Sequence, residues 1–136
     1  MFSIELPASA EHISTARIFA AAVARHFGCD AGDIEDLKIV LSEACGSAIS
    51  HSGRGSNQPV KVRATPSPGL LTFEINADRK SELERSAESA PARENTEEQM
   101  LALSAELIAA LFPDAEFLDS PEGTFFRLSV AAPTAA

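Results

Sequence analysis

From Phe2 to Leu6 the chain alternates apolar and polar residues before Pro7, and this period of two predicts a short strand with Phe2, Ile4 and Leu6 on one face. Ser9 suits a helix N-cap. Beyond it Ile13, Ala16, Ala20, Val23 and Phe27 recur at spacings of three and four, predicting an amphipathic helix that Gly28 can end. A second helix is predicted from about Asp33 to His51, with Ile34, Leu37, Leu41, Ala44 and Ala48 on one stripe. The turn-rich stretch Ser52 to Pro59 then leads into Val60, Val62 and Ala64, which alternate with Lys61 and Arg63. Pro66 to Gly69 supplies a tight connection to Leu71, Phe73 and Ile75, so two half-buried strands are expected to form a hairpin ending near Asp78.

Arg79 to Glu98 is polar and charged, contains Pro91 and shows no apolar period; it reads as a long mobile loop. Thr96 is placed to cap a third helix with Met100, Leu103, Leu107 and Leu111 on its apolar stripe, closed by Pro113. Strands are expected at Ala115 to Leu118 and Thr124 to Val130, joined by a turn from Asp119 to Gly123. The resulting order predicts an α+β fold: a two-layer sandwich of a mixed, mainly antiparallel sheet with helices on one face. Residues 1–132 are assigned to a single domain and 133–136 to a flexible tail.

Composition narrows the classes. The 136 residues are 45% hydrophobic and 23% charged, the balance of a globular chain able to bury its own core. No stretch approaches the roughly 20 apolar residues that span a bilayer, and the start MFSIELPAS lacks a secretory pattern, so a cytoplasmic location is expected. A net charge of -9 disfavours nucleic acid and anionic membrane as partners, because both are recognised through clustered Lys and Arg. Cys29 and Cys45 have no second Cys or His at ligand spacing and read as reduced structural thiols; His12, His26 and His51 are scattered.

The chemistry-bearing pattern lies on the second helix. Glu43, Ser47 and His51 follow one another at intervals of four and so share a face. A carboxylate there can polarise water or a hydroxyl, and the hydroxyl one turn on can hold a metal-bound water; an ordinary solvent-facing helix side has the same spacing.

The segment LKIVLSEACGSAISH, Leu37 to His51, resembles the N-box helix of the GHKL ATPases, in the form found in anti-sigma-factor serine kinases. The pattern there is a Glu, three residues, an Asn, then Ala and a nearby His. Glu43, Ala48 and His51 match it, and Ser47 stands where the family has Asn. The Ala16-Arg17 pair and the order of later elements extend the resemblance over nearly the whole chain.

This resemblance implies the histidine-kinase-like, or Bergerat, ATPase fold. It implies Glu43 as general base if the domain is active, Ser47 at the magnesium position in place of Asn, and Asp78 as the acceptor of the adenine amino group. Relatives follow that Asp with glycine and carry a second glycine-rich stretch before the third helix. Here Arg79, Lys80 and Ser81 follow, and no glycine lies between Gly69 and Gly123, so the usual backbone cradle for phosphates is missing. The implied role is an anti-sigma-factor-like regulator that binds a sigma factor, an anti-anti-sigma protein of the STAS type, or both, with ATP binding impaired or absent. No cofactor is expected in that case, and ATP with magnesium if the site works. The alternative is an active serine/threonine kinase of the anti-anti-sigma factor. Glu11, Arg17 and Arg25 on the first helix form a candidate partner surface, and a homodimer is a further expectation.

Overall fold

The computed structural model describes residues 1–52, 59–78, 103–120 and 123–135. Strand β1 (Phe2–Leu6) is followed by a 3-10 turn at Ala10–His12, helix α1 (Ile13–His26) and helix α2 (Ala31–Ser52). The hairpin of β2 (Val60–Ser67) and β3 (Leu70–Asp78) comes next. Residues 103–111 are helical and are termed α3; β4 (Glu116–Ser120) and β5 (Gly123–Ala131) complete the order.

The strands form one sheet in the order β1-β2-β3-β5-β4. All four described pairings are antiparallel, which places the sheet at the antiparallel limit of the mixed, mainly antiparallel one expected. Register explains the two layers. Val62 lies opposite Ile75, and Ile75 opposite Phe126, so one face collects Val60, Val62, Ala64, Leu71, Phe73, Ile75, Ala77, Phe126, Leu128 and Val130, all buried. Full burial of side chains such as Phe73 and Phe126 stabilises the fold by about 1.5–3 kcal/mol each. The opposite face is polar: the Thr72 and Ser129 hydroxyls lie 2.9 Å apart, and Arg127 reaches Glu116 at 3.1 Å and Glu74 at 3.8 Å. Each exposed ion pair there adds at most about 1 kcal/mol.

Helices α1 and α2 cover the apolar face. Ala16, Ala20 and Ala24 of α1, and Ala44 and Ala48 of α2, are completely buried, and their small side chains permit close approach of the backbones. The stripe Ile34, Leu37, Leu41, Ala44 and Ala48 is the buried one, as its periodicity predicts.

Four local expectations are corrected. Ser9 starts the 3-10 turn, not the helix itself, and its side chain makes no capping bond. Helix α2 begins at Ala31, because the Asp30 carboxylate accepts the Gly32 N–H at 3.1 Å and caps the turn ahead of Asp33. On α3 Leu111 of the expected stripe packs against the core, but the buried residues ahead of it are Ser104 and Ile108, while Leu103 and Leu107 are 65% and 42% exposed. Finally, the end of the chain is docked as far as 135. The Thr134 N–H donates to the Phe27 carbonyl, and the Ala135 carbonyl accepts from the Gly69 N–H, both at 3.2 Å, tying residues 132–135 to the end of α1 and the β2–β3 turn. Gly28 leaves α1 with φ 76° beside Thr134, a backbone state that costs glycine little. The expected loop from Arg79 to Glu98, and Thr96 and Met100 of the third helix, lie outside the described residues.

Candidate functional site

Glu43 and Ser47 stand one turn apart on α2 and are both half-buried. The apolar stripe of the same helix is fixed against the sheet, so the rotation of α2 is set by Leu37 and Leu41, and the Glu43–Ser47 edge is thereby presented to α3. There it meets a residue that the sequence reading did not single out. Ser104, 4% exposed, donates its hydroxyl proton to Glu43 Oε1 at 2.5 Å, and Ser47 donates its own to Ser104 Oγ at 2.5 Å. The direction of this relay follows from proton inventory: an ionised carboxylate only accepts, so Ser104 must donate to it and is left with lone pairs for Ser47. Hydrogen bonds to a charged acceptor are about twice as strong as neutral ones, so the contact joins α2 to α3 firmly.

The other half of the candidate site is the far end of the central strand. Asp78 ends β3 and is paired with Gly123 of β5. Next to it in the ladder Thr124 lies opposite Ala77, completely buried, and its Oγ1 has no hydrogen-bond partner. A buried hydroxyl left unpaired costs on the order of 1–3 kcal/mol, so this position is built for a hydrogen bond that the described residues do not supply. Sequence reasoning missed Thr124 by treating it as the first residue of a strand; its one signal was a polar side chain at an inward position of the alternation. Asp78 is placed by its backbone, as is His51 within α2.

Glu11, Arg17 and Arg25 are exposed, on the 3-10 turn and α1, and are not drawn into the Glu43–Ser47 edge. Glu11 lies 3.5 Å from His12. Among the described residues no group of three His, Cys, Asp or Glu side chains could hold a metal ion, and no helix is long and apolar enough to cross a membrane. Both thiols are unpaired in a disulfide sense. Burial pushes Cys45 up to about 12; Cys29 is raised first by burial and then by the charge of Asp33.

Comparison with known families matches residues 6–130 to the histidine kinase-like ATPase domain. The chain belongs to that family. Its five-stranded sheet with helices on one face is the two-layer architecture expected for such a domain. Among curated proteins it is similar to the serine-protein kinase RsbW of Bacillus velezensis, with 39% identity over 61 residues, 44% of this chain and 38% of that protein. It is also similar to the proteins of the same name from Bacillus thuringiensis and Bacillus cereus, with 41% identity over 49 residues, 36% of this chain and 31% of each relative. The match thus spans well under half the length of the relatives.

Against an ATPase domain's nucleotide the two halves differ. At the strand end the buried Thr124 hydroxyl has no partner among the described residues, one rung along the ladder from the Asp78–Gly123 pair. At the helix edge one oxygen of the Glu43 carboxylate accepts from Ser104, and Ser47, a short hydroxyl where the family has Asn, gives its one proton to the same relay.

Proposed function

We propose that the chain is an anti-sigma-factor-like regulator that acts by competitive binding to a sigma factor, an anti-anti-sigma protein of the STAS type, or both, with ATP binding impaired. Membership of the histidine kinase-like ATPase family and similarity to serine-protein kinases RsbW support this direction. The observation that carries the impaired site is the Ser47–Ser104–Glu43 relay, which bonds α3 to the two side chains that the resemblance assigns to the metal and the base. The glycine-free stretch from 70 to 122 agrees with it, because a phosphate cradle depends on backbone that approaches without Cβ atoms. In this reading the cytoplasm is the location, and Glu11, Arg17 and Arg25 are the residues to mutate first in search of the partner surface.

A second reading, an active serine/threonine kinase of the anti-anti-sigma factor, is favoured by the unpartnered Thr124 hydroxyl and by a carboxylate already holding a serine O–H at 2.5 Å, the contact a general base makes with an acceptor. Glu43 would take the proton of the acceptor hydroxyl, and Asp78 and Thr124 would orient the adenine.

Calorimetry separates the two. Magnesium-ATP at millimolar concentration is titrated into the natural chain and into Asp78→Asn, and a sigma factor and a STAS-type protein are titrated in its absence. We expect partner binding without nucleotide and no saturable ATP heat. Saturable ATP binding abolished by Asp78→Asn, with transfer of phosphate to the STAS-type protein, decides for the kinase.

A further inference from the structure

The inward turn of α3 is unfavourable on apolar grounds. It leaves Leu103 and Leu107 at 65% and 42% exposure and brings in a serine at 4%. A roll of the helix by about one residue, near 100°, would reverse that choice. Ile108, 2% exposed, holds part of the inward face, but the polar side of the contact is carried by Ser104, whose hydroxyl both donates to Glu43 and accepts from Ser47. A buried serine hydroxyl left unbonded costs stability, and the half-buried Glu43 carboxylate supplies its acceptor. The relay joins residues 57 and 61 positions apart in the chain. It therefore ties the helix that follows the long 79–98 segment to the helix that carries the base.

We propose that Ser104 is the residue that sets the nucleotide dependence of this domain: its hydroxyl is an internal competitor for the Glu43 carboxylate and the Ser47 hydroxyl, holding α3 onto α2 in the place where a magnesium triphosphate would have to engage. The proposal rests on the reading of the Glu43–Ser47 edge as the metal and phosphate end of an ATPase-family site. Ser104 is a positioning residue in this account, acting through Glu43 and not on the nucleotide. Its effect is confined to one end of the site. The strand end, with Asp78 and Thr124, is untouched by it, so removing the hydroxyl should favour ligands with a metal-bound triphosphate over adenosine.

The test compares the natural chain, Ser104→Ala, Ser104→Cys and Ser104→Thr by competition against a fluorescent ATP analogue, with magnesium-ATP and adenosine as separate competitors and circular dichroism as the check of folding. Loss of one hydrogen bond to a charged group corresponds to a factor of about ten to one hundred. Ser104→Ala is expected to tighten magnesium-ATP binding by about that factor and to leave adenosine unchanged, while Ser104→Thr, which keeps the hydroxyl, stays like the natural chain. Ser104→Cys is nearly isosteric with a weak donor; it should move in the same direction as the Ala variant and decides the matter if that variant does not fold. Folded Ala and Cys variants with the natural affinity for magnesium-ATP, or with equal gains for ATP and adenosine, overturn the role of Ser104. Tight ATP binding by the natural chain overturns the impaired-site reading instead, and the variant-to-natural ratio still judges Ser104. No binding by any variant overturns the Ser104 proposal and leaves partner capture to judge the regulatory reading.

Discussion

Cys45 lies on the inward side of α2, 1% exposed, and its thiol is pushed from the ordinary 9.0 up to about 12 by burial alone. The sign of the consequence follows from proton counting. Between about pH 9 and 12 the unfolded chain has lost the thiol proton while the native chain keeps it, so the native state binds more protons and stability falls as pH rises. We expect the unfolding free energy of the natural chain, measured in urea from pH 8 to 10.5, to fall relative to Cys45→Ala by about 1.4 kcal/mol per pH unit once pH exceeds 9. Parallel curves for the two proteins would show that the thiol is not sequestered. At this scale the sequence was informative about Glu43 and Ser47, because spacing by four is a property of the helix alone. It was silent about Ser104 and gave for Thr124 only a polar residue in phase with Phe126, Leu128 and Val130. The role of Ser104 comes from partners 57 and 61 positions away, of which a Ser in an apolar run carries no local sign, and that Thr124 is left without a partner shows only in the packed sheet.

For whole elements, periodicity located nearly every strand and helix within the described residues, and it failed where two stripes competed. On α2 Glu35, Asp36 and Lys38 interrupt the run between Ile34, Leu37 and Leu41, and of the two further apolar residues there Val40 joins the buried side while Ile39 is exposed. On α3 the run LALSAELIAAL offers both Leu103–Leu107 and Ile108–Leu111, with alanines between, and apolar content alone selects the wrong face. The winning face is the one whose serine can reach a carboxylate on another helix. This yields a direct check. Ile108→Ala opens a cavity in the core and is expected to cost about 2–4 kcal/mol, whereas Leu103→Ala is expected to change stability by less than about 0.5 kcal/mol. Equal losses for the two substitutions, read by urea unfolding, would place the stripe where the sequence put it. The same tertiary logic explains the docked end: Thr134 and Ala135 bond to residues of the α1 terminus and the β2–β3 turn, partners that no local pattern in an Ala-rich ending announces.

For the molecule as a whole, the described residues keep the two-layer architecture of the family, and Glu43 and Ser47 of α2 are both bonded to Ser104 of α3. The sheet order, the two covering helices and the paired end of β3 beside Thr124 are all present. A fold of this kind can carry partner recognition without nucleotide chemistry, because its stability comes from the sheet and helix core and not from a bound ligand. Linkage turns that separation into a measurement. If nucleotide altered the affinity for a sigma factor, the sigma factor would alter the affinity for nucleotide by the same factor. A domain whose Glu43 is held by Ser104 is therefore expected to bind a sigma factor with the same Kd, within about threefold, whether magnesium-ATP is absent or present at about 5 mM, several times the roughly 1 mM upper end of ordinary KM values. In Ser104→Ala the same addition should change that Kd by more than about threefold, because the two α2 side chains released from the relay become available to the nucleotide and α3, with its exposed Leu103 and Leu107, is no longer fixed by it. Strong nucleotide dependence in the natural chain would mean that the relay opens readily, and a competitive regulator of fixed shape would give way to one that ATP switches.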